Sequence, residues 1–187
     1  MKTFTIQIEA YKFAELTPKA QMEACDNYSF HGLNDNWYES TIEDAKNIGL
    51  KIDSFDLDRQ DIKGSFLVQP YACAKDVVTN HGEMCETFKT AQAFLQDYSL
   101  LWVKYAKEDN HEEIEEGKEQ EYEEQLADLE IDFERSLLED YRIILQKEYD
   151  YLNSREYAEE QLMEDTMELW FDVDGKLLDL PNGTQEA

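Results

Sequence analysis

The chain has 187 residues, 42% of them apolar and 12% aromatic. That is enough for a core and excludes a wholly disordered acidic protein, which would have few aromatics. Its 44 Asp and Glu against 17 Lys and Arg give a net charge of −27, a surface that repels nucleic acid and anionic membranes and attracts basic proteins, polyamines or divalent cations.

In chain order, Phe4, Ile6, Ile8 and Ala10 alternate with polar residues, which predicts a half-buried strand. Thr17-Pro18 is a helix start, with a hydroxyl at the N-cap and Pro in the first turn. The helix is expected to reach about Tyr28 and stop near His31-Gly32. A second helix follows from about Asp35 to Ile48, closed by Gly49. Leu50 to Leu57 and Ile62 to Gln69 read as two strands joined by the polar loop Asp58-Arg59-Gln60-Asp61. Helices are predicted from about Ala72 to Thr79 and from about Glu83 to Lys107.

The stretch from Glu108 to about Leu152 holds no Pro and a single Gly, Gly117. It reads as one long helix of roughly 65 Å at 1.5 Å per residue, packed antiparallel against the preceding helix as a helical hairpin. Tyr122, Leu126, Leu129, Phe133, Leu137, Tyr141 and Ile144 form one apolar stripe. Ile131, Leu138, Leu145 and Leu152 repeat every seven residues on roughly the opposite side, so the second half is expected to be covered on two faces. Ser154 is an N-cap for a further helix from Arg155 to about Leu169. Trp170 to Val173 and Lys176 to Leu180 flank Asp174-Gly175, a two-residue hairpin signal.

The fold class that follows is α+β: a small antiparallel sheet with helices packed on it, then a long acidic helix in a helical hairpin and a C-terminal β-hairpin. The charge is uneven. Residues 1–105 hold 16 acids and 10 bases, whereas residues 106–187 hold 28 and 7. The expected division is therefore an α+β core domain over 1–105 and an acidic helical extension with its hairpin over 106–187, packed as one unit. Three cysteines, Cys25, Cys73 and Cys85, with neither a signal peptide nor a long apolar run, fit a reducing cytosol and no membrane span.

Leu16-Thr17-Pro18-Lys19-Ala20 leading to Tyr28, Trp37-Tyr38-Glu39, Ile48-Gly49-Leu50-Lys51-Ile52, Phe55-Asp56-Leu57-Asp58-Arg59, His81-Gly82-Glu83 and Ser136-Leu137-Leu138-Glu139-Asp140-Tyr141 form a pattern over Leu16 to Leu152. It resembles a family of small acidic proteins of phages and mobile elements, some labelled antitoxin. The resemblance brings no catalytic residues. It implies a mobile-element gene acting in the cytoplasm of a bacterial host, a context in which inhibitors of host defence are common.

Candidate chemistry is sparse. Cys73, Cys85, His81 and His31 contain no C-x-x-C pair, and zinc sites show paired ligands at short spacing, so buried thiols explain them better. Asp172-Val173-Asp174-Gly175 lacks the remaining spacing of a calcium loop and reads as a hairpin turn. Asp53, Asp56, Asp58 and Asp61 enclose Arg59 and read as a solvated loop. There is no G-x-S-x-G, no phosphate-cradling loop and no H-E-x-x-H. Neither metal nor cofactor is expected, nor an enzymatic role.

The acidic run is the strongest functional signal. Glu108 to Asp140 holds 16 acids and two bases, Lys118 and Arg135. On a helix that is about one net charge per 3.5 Å, near the 3.4 Å phosphate spacing of a nucleic-acid strand. The expected function is a non-enzymatic inhibitor, monomeric or homodimeric, that binds a basic nucleic-acid-handling protein. The target is a CRISPR effector or other defence nuclease, whose nucleic-acid channel the inhibitor blocks without itself binding nucleic acid. The residues expected to carry binding are Glu112, Glu113, Glu116, Glu119, Glu123, Glu124 and Asp128. In the alternative, an antitoxin or adaptor clasps its partner through Ile131, Leu138, Leu145 and Leu152.

Overall fold

The computed structural model of the chain describes residues 8–28, 36–107, 113–164 and 168–179. The element order is a 3-10 turn (Phe13–Glu15), α1 (Pro18–Tyr28), α2 (Glu39–Asn47), β1 (Leu50–Asp56), β2 (Asp61–Phe66), α3 (Pro70–Asn80), α4 (Glu86–Tyr105), α5 (Glu119–Leu152) and α6 (Arg155–Met163). The fold is α+β, with six α-helices and a two-stranded antiparallel sheet among the described residues. Two compact units divide the chain: residues 38–147, and residues 1–37 together with 148–187. The compositional boundary at 105/106 falls inside the first of these.

The 38–147 unit is built on the hairpin and α5. Gly49 closes α2 with φ +84, a conformation that costs a glycine little. β1 and β2 pair from Leu50↔Phe66 to Asp56↔Asp61, with an irregularity between Ile52 and Ser54. Gly64 is required by contact: a Cβ there would stand 2.2 Å from the Lys51 carbonyl oxygen and 2.8 Å from a Leu138 methyl. Pro70 both ends the strand region and opens α3, because its fixed φ suits the first turn of a helix. Phe133 of α5 stacks on Phe94 of α4 at 4.2 Å between centroids and on Phe66 of β2 at 5.4 Å. Around that stack lie Ala45, Ile48, Leu50, Cys73, Ala74, Val77, Ala91, Leu137, Leu138 and Tyr141.

α4 and α5 form the expected antiparallel hairpin. Contacts run in opposite order along the two helices: Thr90 to Asp140, Phe94 to Phe133, and Tyr105 to Glu121. The long helix begins later than its composition indicates. Gly117 has φ +83, and the preceding residues form an antiparallel bridge between Ala106 and Ile114. α5 therefore has 34 residues, about 51 Å.

The second apolar face is covered only in part. Leu138 and Leu145 are buried, Leu152 is half-buried, and Ile131 is 56% exposed. The reason is local. Gly64 lets β2 close over Leu138, whereas Ile131, two turns earlier, stays outside the core.

In the other unit, Thr17 Oγ1 accepts the Ala20 N–H at the start of α1, and Ser154 Oγ accepts the Tyr157 N–H at the start of α6. Ala20 and Ala24 of α1 and Ala158 of α6 belong to one core with Phe13, Leu16, Cys25, Leu162 and Phe171. Small side chains let two short helices pack closely. The strand expected over Phe4–Ala10 lies largely outside the described residues, and residues 8–10 are not strand. The expected C-terminal hairpin is not a pair of strands. Phe171 makes single bridges to Tyr11 and to Leu177, around a turn in which Asp172 Oδ1 accepts the N–H groups of Asp174 and Lys176. Gly175 lies against the Ala20 carbonyl oxygen, where a Cβ would be 2.0 Å away. That close approach leaves no room for a side chain at this position, while the Gly175 N–H closes the turn on the Asp172 carbonyl.

Leu138→Ala and Leu145→Ala should each lower unfolding free energy by about 2–5 kcal/mol, the range for removing a buried Leu side chain. Ile131→Ala should change it by less than about 0.5 kcal/mol, as at an exposed site. Urea titration of the three variants checks the contrast.

Candidate partner-binding surface

The acidic stretch becomes informative once its carboxylates are sorted by what they touch. Several serve the fold. Glu113 pairs with Lys107, which holds its carboxyl below the usual range. Glu115 pairs with Lys118 at 2.6 Å, and Glu119 accepts the Gly117 N–H at 2.8 Å, closing the turn before α5. Glu121 accepts the Tyr105 hydroxyl at 2.7 Å. Asp132 pairs with Arg135, and Glu139 takes a two-point contact from Arg142.

Two carboxyls turn inward. Burial raises the pKa of Glu130, and it raises that of Asp140 against the opposing effect of the Thr90 hydroxyl, which donates to it at 2.6 Å.

Glu116, Glu123, Glu124 and Asp128 are different. All are exposed, and among the described residues no Lys or Arg stands within ion-pair distance of any of them. Glu124 accepts only the side-chain amide of Gln120, at 2.9 Å. The buried Tyr122 and Phe133 define the inward side of α5, with Leu126 and Leu129 half-buried beside them. Helical periodicity places Glu123, Glu124 and Asp128 away from it. Of the seven carboxylates expected to carry binding, Glu112 lies outside the described residues, Glu113 and Glu119 are engaged within the protein, and four are open to a partner.

From Glu119 to Asp140 α5 carries ten acids and one base. Over about 33 Å that is one net charge per roughly 3.7 Å. The shorter helix thus keeps the charge density inferred for the longer one. The apolar clasp fares differently. Leu138 and Leu145 are core residues, so of that heptad set only Ile131 and the half-buried Leu152 present surface.

A polar network near the core was not apparent in the sequence. His81 Nδ1 shares a hydrogen bond with Thr87 Oγ1 at 2.8 Å, and its Nε2 stands 3.6 Å from Asp44 Oδ2. The Tyr141 hydroxyl donates to the same Asp44 oxygen at 2.7 Å, and burial pushes that phenol well above its ordinary value. Thr87, His81 and Asp44 share the connectivity of a nucleophile, base and orienting carboxylate. Thr87 is 1% exposed, however, and offers no attacking atom to a substrate in this conformation. His81 and Thr87 are six positions apart, but Asp44 and Tyr141 are separated by 97, and only folding brings the four together.

Cys73 is fully buried, with its thiol pushed up to about 12, and Cys85 is exposed. Among the described residues no group of three His, Cys, Asp or Glu is arranged to hold a metal ion. No helix among them is long and apolar enough to cross a membrane. No protein-family model matches the chain, and neither a curated protein nor a solved structure does.

Asp140→Asn should raise the melting temperature near pH 7. A carboxyl whose folded pKa lies above its unfolded value destabilises the fold once pH exceeds the unfolded pKa, and the neutral amide removes that cost. The gain should shrink as pH falls toward about 4, the ordinary range of an unfolded Asp carboxyl, because the cost disappears once both states are protonated. Thermal melts at the two pH values check the sign.

Proposed function

We propose that the protein is a non-enzymatic inhibitor that binds a basic nucleic-acid-handling protein through the outer face of α5 and the turn that precedes it, and excludes nucleic acid from that protein's channel. The supporting observation is the set Glu116, Glu123, Glu124 and Asp128: four exposed carboxylates without a cationic partner, beside others that are neutralised locally. Charge left uncompensated in this way costs stability through self-repulsion. It is repaid when a Lys/Arg-lined surface supplies counter-charge and steers encounter. The resemblance to acidic proteins of phages and mobile elements points to a defence nuclease, such as a CRISPR effector, as the target.

The test is affinity capture from a bacterial lysate at two salt concentrations, followed by challenge with nucleic acid. Nucleic-acid-binding proteins should be retained at low salt and released by raised salt or by added DNA or RNA, because both compete for the same charges. Glu116→Lys, Glu123→Lys and Glu124→Lys together should abolish retention without lowering the melting temperature, since none of the three packs in the core. Retention that resists salt, nucleic acid and charge reversal would overturn the reading.

A further inference from the structure

We propose that the groove between α4 and α5 is a docking site for a basic amphipathic helix of the partner, an inference that rests on reading the acidic face as a partner-binding surface. The groove runs between Asp97, Leu100 and Leu101 of α4 and Asp128 and Leu129 of α5. Its floor is apolar: Leu101 and Leu129 are half-buried, and Leu100 is 60% exposed. Val103, one turn beyond Leu100, is 73% exposed. A single exposed aliphatic side chain is ordinary, but two neighbours a turn apart beside an apolar concavity form a patch that water covers at a cost.

Two carboxylates and one ammonium line this groove, so its charge is negative on balance. Asp97 and Asp128 have no ion-pair partner among the described residues. Lys104 also lines the groove and is held against its wall: its Nζ donates to Gln125 Oε1, another lining residue, at 3.0 Å and lies 4.7 Å from the Tyr105 ring centroid. The groove therefore offers apolar anchor points flanked by free carboxylates. Its complement is a surface of apolar anchors flanked by Lys or Arg.

A helix is the element that fits. The furrow between two antiparallel helices accepts the side-chain ridge of a third. The stretch from Asp97 to Lys104 is about 10 Å long, matching anchors at i, i+3 or i+4, and i+7. Charge also argues against other occupants. A second copy of the chain brings another −27, and an anionic lipid surface or a nucleic acid is repelled in the same way.

The test uses fluorescence anisotropy with three labelled probes: a Leu/Lys peptide of about 18 residues with Leu at helical spacing, a scrambled peptide of the same composition, and an oligolysine of equal charge. The amphipathic peptide should bind the full chain about tenfold tighter than either control. Leu100→Ser with Val103→Ser should remove that preference, leaving oligolysine binding and the melting temperature unchanged.

The proposal is overturned if the scrambled peptide binds as well as the amphipathic one, or if the double variant keeps the preference. It is also overturned if sedimentation shows a dimer that the double variant dissociates, because the groove is then occupied by a second copy. The acidic-face reading fails separately. Its failure shows when Glu116→Lys, Glu123→Lys and Glu124→Lys leave oligolysine binding unchanged, whatever the groove does.

Discussion

Phe133 is the residue on which the 38–147 unit depends. It is the point where three elements distant in sequence meet, with Phe94 of α4 on one side and Phe66 of β2 on the other. A two-stranded hairpin is marginal alone and acquires stability by packing one face against a helix. Here that helix is α5, itself held by α4 through the same ring. Gly64 is the complementary constraint. Without a side chain it lets the strand approach Leu138, so the hairpin covers a second face of α5.

Anchoring α5 at its middle has consequences for its charge. A helix rich in carboxylates is self-repelling, and few of its acids have a Lys or Arg one turn away. The protein answers this unevenly. Around the start of α5, Glu115, Glu119 and Glu121 are matched with a lysine, a backbone N–H and a tyrosine hydroxyl, and beyond Arg135 Glu139 is matched with Arg142. Between those regions Glu123 and Asp128 are left open to solvent. The core at Phe133 offsets that repulsion and holds the acidic face on a rigid element, which favours binding because less order has to be gained on contact.

The His81 network shows a different use of polarity. Asp44, His81, Thr87 and Tyr141 join α2, the end of α3, the start of α4 and the middle of α5. Tyr141 is fully buried, so its hydroxyl requires a partner, and Asp44 supplies it. Directional bonds of this kind fix how helices meet, where apolar contact alone would tolerate sliding.

The sequence by itself determined what local rules govern. Thr17-Pro18, Ser154 and Gly49 set helix ends because capping and φ preferences act within a few residues. The polar loop Asp58-Arg59-Gln60-Asp61 between two runs set the two-stranded hairpin, the Tyr122–Phe133–Tyr141 stripe set the buried side of α5, and composition set the acidity. Only the tertiary structure decided the rest. Gly117, expected inside a helix, became the left-handed residue of a turn because the Ala106–Ile114 bridge draws the chain back. Ile131 and Leu138 occupy equivalent heptad positions, yet one is exposed and the other buried, because the strand that covers Leu138 comes from 74 residues earlier in the chain. The same holds for the candidate site. The sixteen acids from Glu108 to Asp140 are alike to the eye in sequence, and among the described ones which stay free depends on cations and hydroxyls delivered largely by other parts of the chain. The groove beside Leu100 is invisible in sequence for the same reason: its two walls belong to different helices, and only their packing makes a concavity.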